Sequence, residues 1–106
     1  MAKNNSLSMV GKHVNANLLE GTTVMTGKIY FYEDGFVFKA QSVNGILRMP
    51  KVCYQEIVAV EERRTLGIIP NGLSIKLSGD RCLAFAVSCR NDVMRFLKFT
   101  IDSLKT

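Results

Sequence analysis

Residues 27–50, GKIYFYEDGFVFKAQSVNGILRMP, decide the fold class. Asp34-Gly35 and Asn44-Gly45 each separate runs rich in β-branched and aromatic residues, the strongest short-range hairpin signal a sequence offers. Three strands are expected, near 26–32, 36–42 and 46–52. With each dipeptide as a two-residue turn, Phe31 faces Phe38, Ile29 faces Ala40, Ser42 faces Leu47 and Ala40 faces Met49. Both turns then place the apolar residues on one face, which matters because a slip of one residue would invert every side chain. The opposite face collects Lys28, Tyr30, Tyr32, Val37, Lys39, Gln41 and Arg48, with Lys28 opposite Gln41 and Gln41 opposite Arg48. That face is basic and aromatic.

Downstream, Ile57, Val58 and Val60 predict a strand at about 56–63 that runs into the charged Glu61-Glu62-Arg63-Arg64. Ile69-Pro70-Asn71-Gly72 has turn chemistry, so a new strand is expected to start at Leu73. Leu73, Ile75 and Leu77 alternate with polar residues, as Leu83, Phe85 and Val87 alternate with Cys82, Ala84 and Ala86. A three-residue loop, Ser78-Gly79-Asp80, pairs Ile75 with Leu83 and puts both apolar sets on one side; a two-residue Gly79-Asp80 turn does not. From Arg90 the period becomes helical through Val93, Phe96, Leu97, Thr100, Ile101 and Leu104, with Asn91 or Ser88 as candidate N-cap. The apolar stripe of this helix closes the open end of a bent antiparallel sheet.

A chain of 106 residues, 47% hydrophobic and 22% charged, is large enough to bury one core without disulfides or metal. Residues 1–12 are expected to be a flexible tail and 13–106 the domain. No apolar run approaches the roughly 20 residues that span a bilayer, and the polar Asn4, Asn5, Ser6 and Ser8 do not make a secretory signal. Cys53, Cys82 and Cys89 form no C-x-x-C pair and His13 is the single histidine, so neither a disulfide framework nor a metal site is expected. The chain is therefore expected to be cytoplasmic, with the membrane periphery as an alternative location. No phosphate-binding loop, zinc-protease helix or nucleophile elbow is present, and His13 has no nucleophile or carboxylate at motif spacing. An enzyme is the least expected class, and neither a cofactor nor a small-molecule substrate is expected.

The order of motifs resembles the GRAM domain of the pleckstrin-homology-like superfold. The resemblance rests on Ala16-Asn17-Leu18-Leu19, Gly27-Lys28-Ile29-Tyr30-Phe31, Gly35-Phe36-Val37-Phe38-Lys39, Met49-Pro50, Ile57 with Val60, and Leu66-Gly67-Ile68-Ile69-Pro70-Asn71-Gly72-Leu73. It implies a sharply bent antiparallel sheet or open barrel of about seven strands capped by one helix, with a first strand at 13–20. It also implies binding to membrane lipid or to protein partners. Lipid-binding members of the wider superfamily use several Lys and Arg residues around the loop joining the first two strands. Here that loop, Glu20-Gly21-Thr22-Thr23-Val24-Met25-Thr26, carries no base and one acid.

The expected function is a non-catalytic module that binds a protein partner or itself. The net charge of +5 directs the alternative to anionic lipid through Lys28, Tyr30, Lys39, Arg48 and Lys51, and a lower alternative to nucleic acid, which the GRAM-like pattern disfavours. Arg63-Arg64 is a weaker anchor because Glu61-Glu62 offsets its field. Cys82, Ala84 and Ala86 form a small-residue face that another subunit or element could approach closely. Met94 and Phe99 fall off the helix stripe and are expected at the surface.

Overall fold

The computed structural model describes residues 8–42, 45–65 and 69–105. Eight strands form one antiparallel sheet: β1 (His13–Glu20), β2 (Thr23–Phe31), β3 (Gly35–Ser42), β4 (Gly45–Arg48), β5 (Val52–Cys53), β6 (Ile57–Thr65), β7 (Ile69–Leu77) and β8 (Arg81–Val87). A single 3-10 turn, Tyr54–Glu56, precedes β6, and helix α1 spans Arg90–Lys105. The strand order is β4-β3-β2-β1-β8-β7-β6, with β5 also on β3, so the sheet is open and β4 and β6 are its edges. The expected architecture, a bent open sheet with one C-terminal helix, is the one observed.

The core follows from the alternation. Val14, Ala16 and Leu18 of β1, Ile29 and Phe31 of β2, Phe36, Phe38 and Ala40 of β3, and Leu73, Ile75 and Leu77 of β7 are all buried on one face. Phe85 sits between Phe36 and Phe38, with ring centroids 6.3 and 5.5 Å away. Helix α1 closes the end of this core with Val93, Met94, Phe96, Leu97 and Ile101. Phe96 meets Phe31 and Tyr54 edge-on, the geometry that ring quadrupoles favour. Met94 therefore belongs to the buried stripe, contrary to its expected exposure, because α1 lies in the mouth of a curved sheet and buries a broad arc. Met9 also reaches the core from the segment before β1, where Gly11 and Lys12 share backbone hydrogen bonds with Phe31.

Both early hairpin registers differ from expectation by two residues. Phe31 faces Phe36, Ile29 faces Phe38 and Gly27 faces Ala40; Ala40 faces Leu47 and Gln41 faces Ile46. A shift of two preserves the faces while changing every neighbour. The first turn is Glu33-Asp34, closed by the Tyr32 N–H donating to the Gly35 carbonyl at 2.8 Å. Residues from β5 onward hold it there: Tyr54 donates its N–H to the Asp34 carbonyl and its hydroxyl to the Tyr32 carbonyl. Gly35 lies in β3 itself, where a Cβ would collide with the Val52 carbonyl and come within 3.0 Å of the Cys53 Cα. Its glycine serves close strand approach and not a turn with positive φ. In the second turn, Asn44 lies outside the described residues, Ser42 pairs with Gly45, and Gly45 has φ 121°.

Other boundaries changed for local reasons. The expected strand at 46–52 divides into β4 and β5 around Pro50, which has no N–H for the ladder. Leu47, expected inside, is exposed because β4 runs along an edge. The 69–72 segment is strand, not turn: Thr65 pairs with Ile69 and Arg63 with Gly72, leaving an extra residue on β7. This bulge lies beyond the last β7–β8 pair, Gly72 with Ala86, where a proline costs no ladder bond to β8. Residues 66–68 of the glycine-containing motif, and 1–7 of the expected tail, lie outside the described residues. The Ser78–Asp80 loop matches expectation, with Ile75 opposite Leu83 and positive φ at Gly79 and Asp80. At α1 the N-cap position falls on Cys89, whose carbonyl accepts the Val93 N–H, so neither Asn91 nor Ser88 occupies it.

Candidate functional site

The two-residue shift reorganises the outer face. Lys28 of β2 is directly opposite Lys39 of β3, and Lys39 is directly opposite Arg48 of β4. The expected spacing by Gln41 is gone, and three cations form one row across three strands. Asn15 of β1 continues the row opposite Lys28. Like charges directly opposite destabilise a sheet, so the row carries a cost in the isolated fold. Among the described residues no carboxylate lies within ion-pair distance of Lys28, Lys39 or Arg48.

Tyr30 supports the row from below. The Lys39 ammonium stands 4.4 Å from the Tyr30 ring centroid, and the His13 ring lies 5.1 Å away on the other side. Val37, expected on this face as a solvated residue, is fully buried beneath its neighbours and outside the main core cluster. Ile46 and Leu47 of the edge strand are 70% and 53% exposed immediately before Arg48. Ile46 shares the outer face with the cations, whereas Leu47, opposite Ala40, lies on the other face.

Lys51 does not join the row. Its ammonium contacts both Asp34 carboxylate oxygens at 2.9 Å, and this hydrogen bond raises the lysine pKa and lowers that of Asp34. Arg63 likewise stands apart, on β6 at the far edge of the sheet. Of the small-residue face, Cys82 is exposed, Ala84 half-buried and Ala86 buried, with Ala86 opposite both Asn17 and Gly72. Phe99 is exposed on α1 as expected.

Two concavities were not anticipated. One, of about 410 Å³, lies on the outer face over β1, β2 and β8 and is lined by Asn15, Asn17, Thr26, Lys28, Gln41 and Ser88 among others. The Asn-x-Asn spacing on an alternating strand, facing Thr26 and Lys28, was the available signal. The other, about 180 Å³, opens into the core past Met49 and Pro50, with Lys51, Glu56 and Arg81 at its rim. There Glu56 accepts the Cys53 N–H and binds Arg81 at 2.7 Å; the backbone bond first and Arg81 second hold its pKa low. Burial pushes the Tyr54 hydroxyl pKa up. Among the described residues no cluster of His, Cys, Asp or Glu is arranged to hold a metal ion, and no helix is long and apolar enough to cross a membrane.

No protein-family model matches the chain, and no curated protein matches it. The fold is similar to the C-terminal domain of an unknown protein from Leishmania infantum, with a TM-score of 0.66 at 12% identity over 86% of this chain and 82% of that one. It is also similar to Inner Membrane Complex sub-compartment protein 3 from Toxoplasma gondii, with a TM-score of 0.62 at 16% identity over 98% of this chain and 83% of that one. At these identities the likeness is one of fold alone.

Proposed function

We propose that this chain is a non-catalytic, cytoplasmic binding module of the GRAM and pleckstrin-homology-like kind that docks on anionic lipid surfaces through the outer face of β2, β3 and β4. The observation that carries the reading is the cross-strand row Lys28, Lys39 and Arg48, which no acid within the described residues neutralises. The exposed Ile46, on the same face as Arg48, adds apolar contact at that corner of the sheet, the pairing of features that peripheral membrane binding uses. Free Cys82 and Cys89 at the surface suit a reducing compartment.

Each base near an anionic leaflet contributes about 1 kcal/mol, so three give roughly a hundredfold in partitioning: weak, reversible and salt-sensitive binding. Sedimentation with neutral, phosphatidylserine and phosphoinositide vesicles across a salt series tests this, with a K28E/K39E/R48E variant alongside. Binding that survives the triple reversal, or that ignores salt, refutes it. The open edge at β4 favours a second reading, a protein partner or second copy added there. Light scattering that shows a monomer at every concentration removes the second copy.

A further inference from the structure

The trough on the outer face is separate from the cationic row except for Lys28. Its walls are the side chains of Asn15 and Asn17 on β1, Thr26 and Lys28 on β2, Gln41 on β3, and Ser88 after β8. Its depth comes in part from Ala86, opposite Asn17, where a larger side chain would fill it. Gly27 contributes backbone alone: it pairs with the core-facing Ala16 and Ala40, and a Cβ there would collide with the Lys39 carbonyl and lie 2.8 Å from the Ala40 Cα. Among the described residues none of these six side chains hydrogen-bonds to another protein group, so their donors and acceptors are free to bind solvent or a ligand.

The wall chemistry restricts the ligand. Carboxamides and hydroxyls both donate and accept, which matches hydroxyl groups in any orientation. Lys28 supplies one positive charge and only donors. No carboxylate or aromatic ring lines the space, so a cation finds no charged partner, and a polyanion finds one cation for several charges; Ala16, Ala86 and Val87 leave room for apolar contact only with small faces such as sugar C–H groups. The volume of about 410 Å³ equals about 14 water volumes and lies within the usual range for small-ligand sites.

We propose that the trough binds a compact polyhydroxylated ligand with a single anionic group, the size of a sugar acid or a hexose monophosphate, with Lys28 on the anion and Asn15, Asn17, Thr26 and Gln41 on the hydroxyls. The same chemistry reaches the site as a free molecule or as the phosphoglycerol headgroup of a lipid.

Titration calorimetry with glucose 6-phosphate, gluconate, glucose and inorganic phosphate tests the assignment. Binding is expected for the first two, and Asn17→Ala and Asn15→Ala are each expected to weaken it about five-fold, the range for one neutral hydrogen bond. Arg48→Glu, outside the trough and separated from Lys28 by β3, leaves glucose 6-phosphate affinity within about two-fold while it reduces vesicle binding, so this site and the membrane reading fail separately. Phosphatidylglycerol vesicles separate the sources: binding weakened by Asn17→Ala identifies a headgroup site, and binding unchanged by it identifies a free ligand. No heat with glucose 6-phosphate or gluconate at about 10 mM overturns the proposal. So does phosphate or glucose binding as tightly as glucose 6-phosphate, or an Asn17→Ala variant with unaltered melting and unaltered affinity.

Discussion

Replacing Lys39 by Glu is expected to stabilise the fold and to weaken its binding to anionic vesicles. Lys39 is the middle of the row, with Lys28 and Arg48 directly opposite on either side. Cross-strand charge pairs are worth about 0.2–1 kcal/mol each, so turning two repulsions into two attractions gains about 1–2 kcal/mol at low ionic strength. The lost contact with the Tyr30 ring, 4.4 Å from the ammonium, costs about 0.5–1 kcal/mol at a partly exposed site. The net gain of about 0.5–1 kcal/mol corresponds to a rise in Tm of about 3–6 °C in a chain of this size. Salt near 1 M, with a Debye length of about 3 Å, removes most of it. Binding moves the other way: exchanging a positive for a negative charge at an anionic surface costs about 2 kcal/mol, roughly thirty-fold in partitioning. Thermal melts at low and high salt, paired with vesicle sedimentation, read both quantities. A Lys39→Glu variant that melts below the native chain at low salt refutes the idea that these cations strain the sheet.

Phe85→Ala removes a ring packed against Phe36 and Phe38 and is expected to cost about 3–5 kcal/mol in urea unfolding, enough to leave the chain marginal. Gly27→Ala drives a methyl into the β3 backbone and is expected to cost about 1–3 kcal/mol by the same assay, although the φ at this position suits alanine. Glu56 has a folded pKa below its ordinary 4.5, so its contribution is present above that value and is lost as pH falls through the lower folded value; Glu56→Gln is expected to flatten the acid limb of stability against pH. Tyr54 has its pKa raised from 10.0 by burial, so the folded state keeps a proton that the unfolded state loses, and stability falls as pH rises past 10. Tyr54→Phe is expected to reduce that alkaline loss while lowering stability at neutral pH, because the Tyr32 carbonyl loses its donor.

Much of the fold was legible in short-range patterns. The Ser78–Asp80 loop, the C-terminal helix and the membership of Lys28, Tyr30, Lys39 and Arg48 in one outer face follow from periodicity and local backbone chemistry, while the first strand is implied only by the GRAM resemblance. Sequence alone determines such faces because alternation in a strand is a property of the chain itself, and any register error by two residues leaves it intact. What the tertiary structure decided is which residues on that face are neighbours. Tyr54, Val52 and Lys51, about 20 residues beyond the first hairpin, hold its turn at Glu33-Asp34 and require a glycine at 35 inside the strand. The second hairpin is displaced by the same two residues, and bases expected to alternate with Gln41 come to stand side by side. Turn dipeptides report only local φ preferences, whereas register is settled by contacts between strands distant in sequence; the cationic row and the trough beside it are products of those contacts.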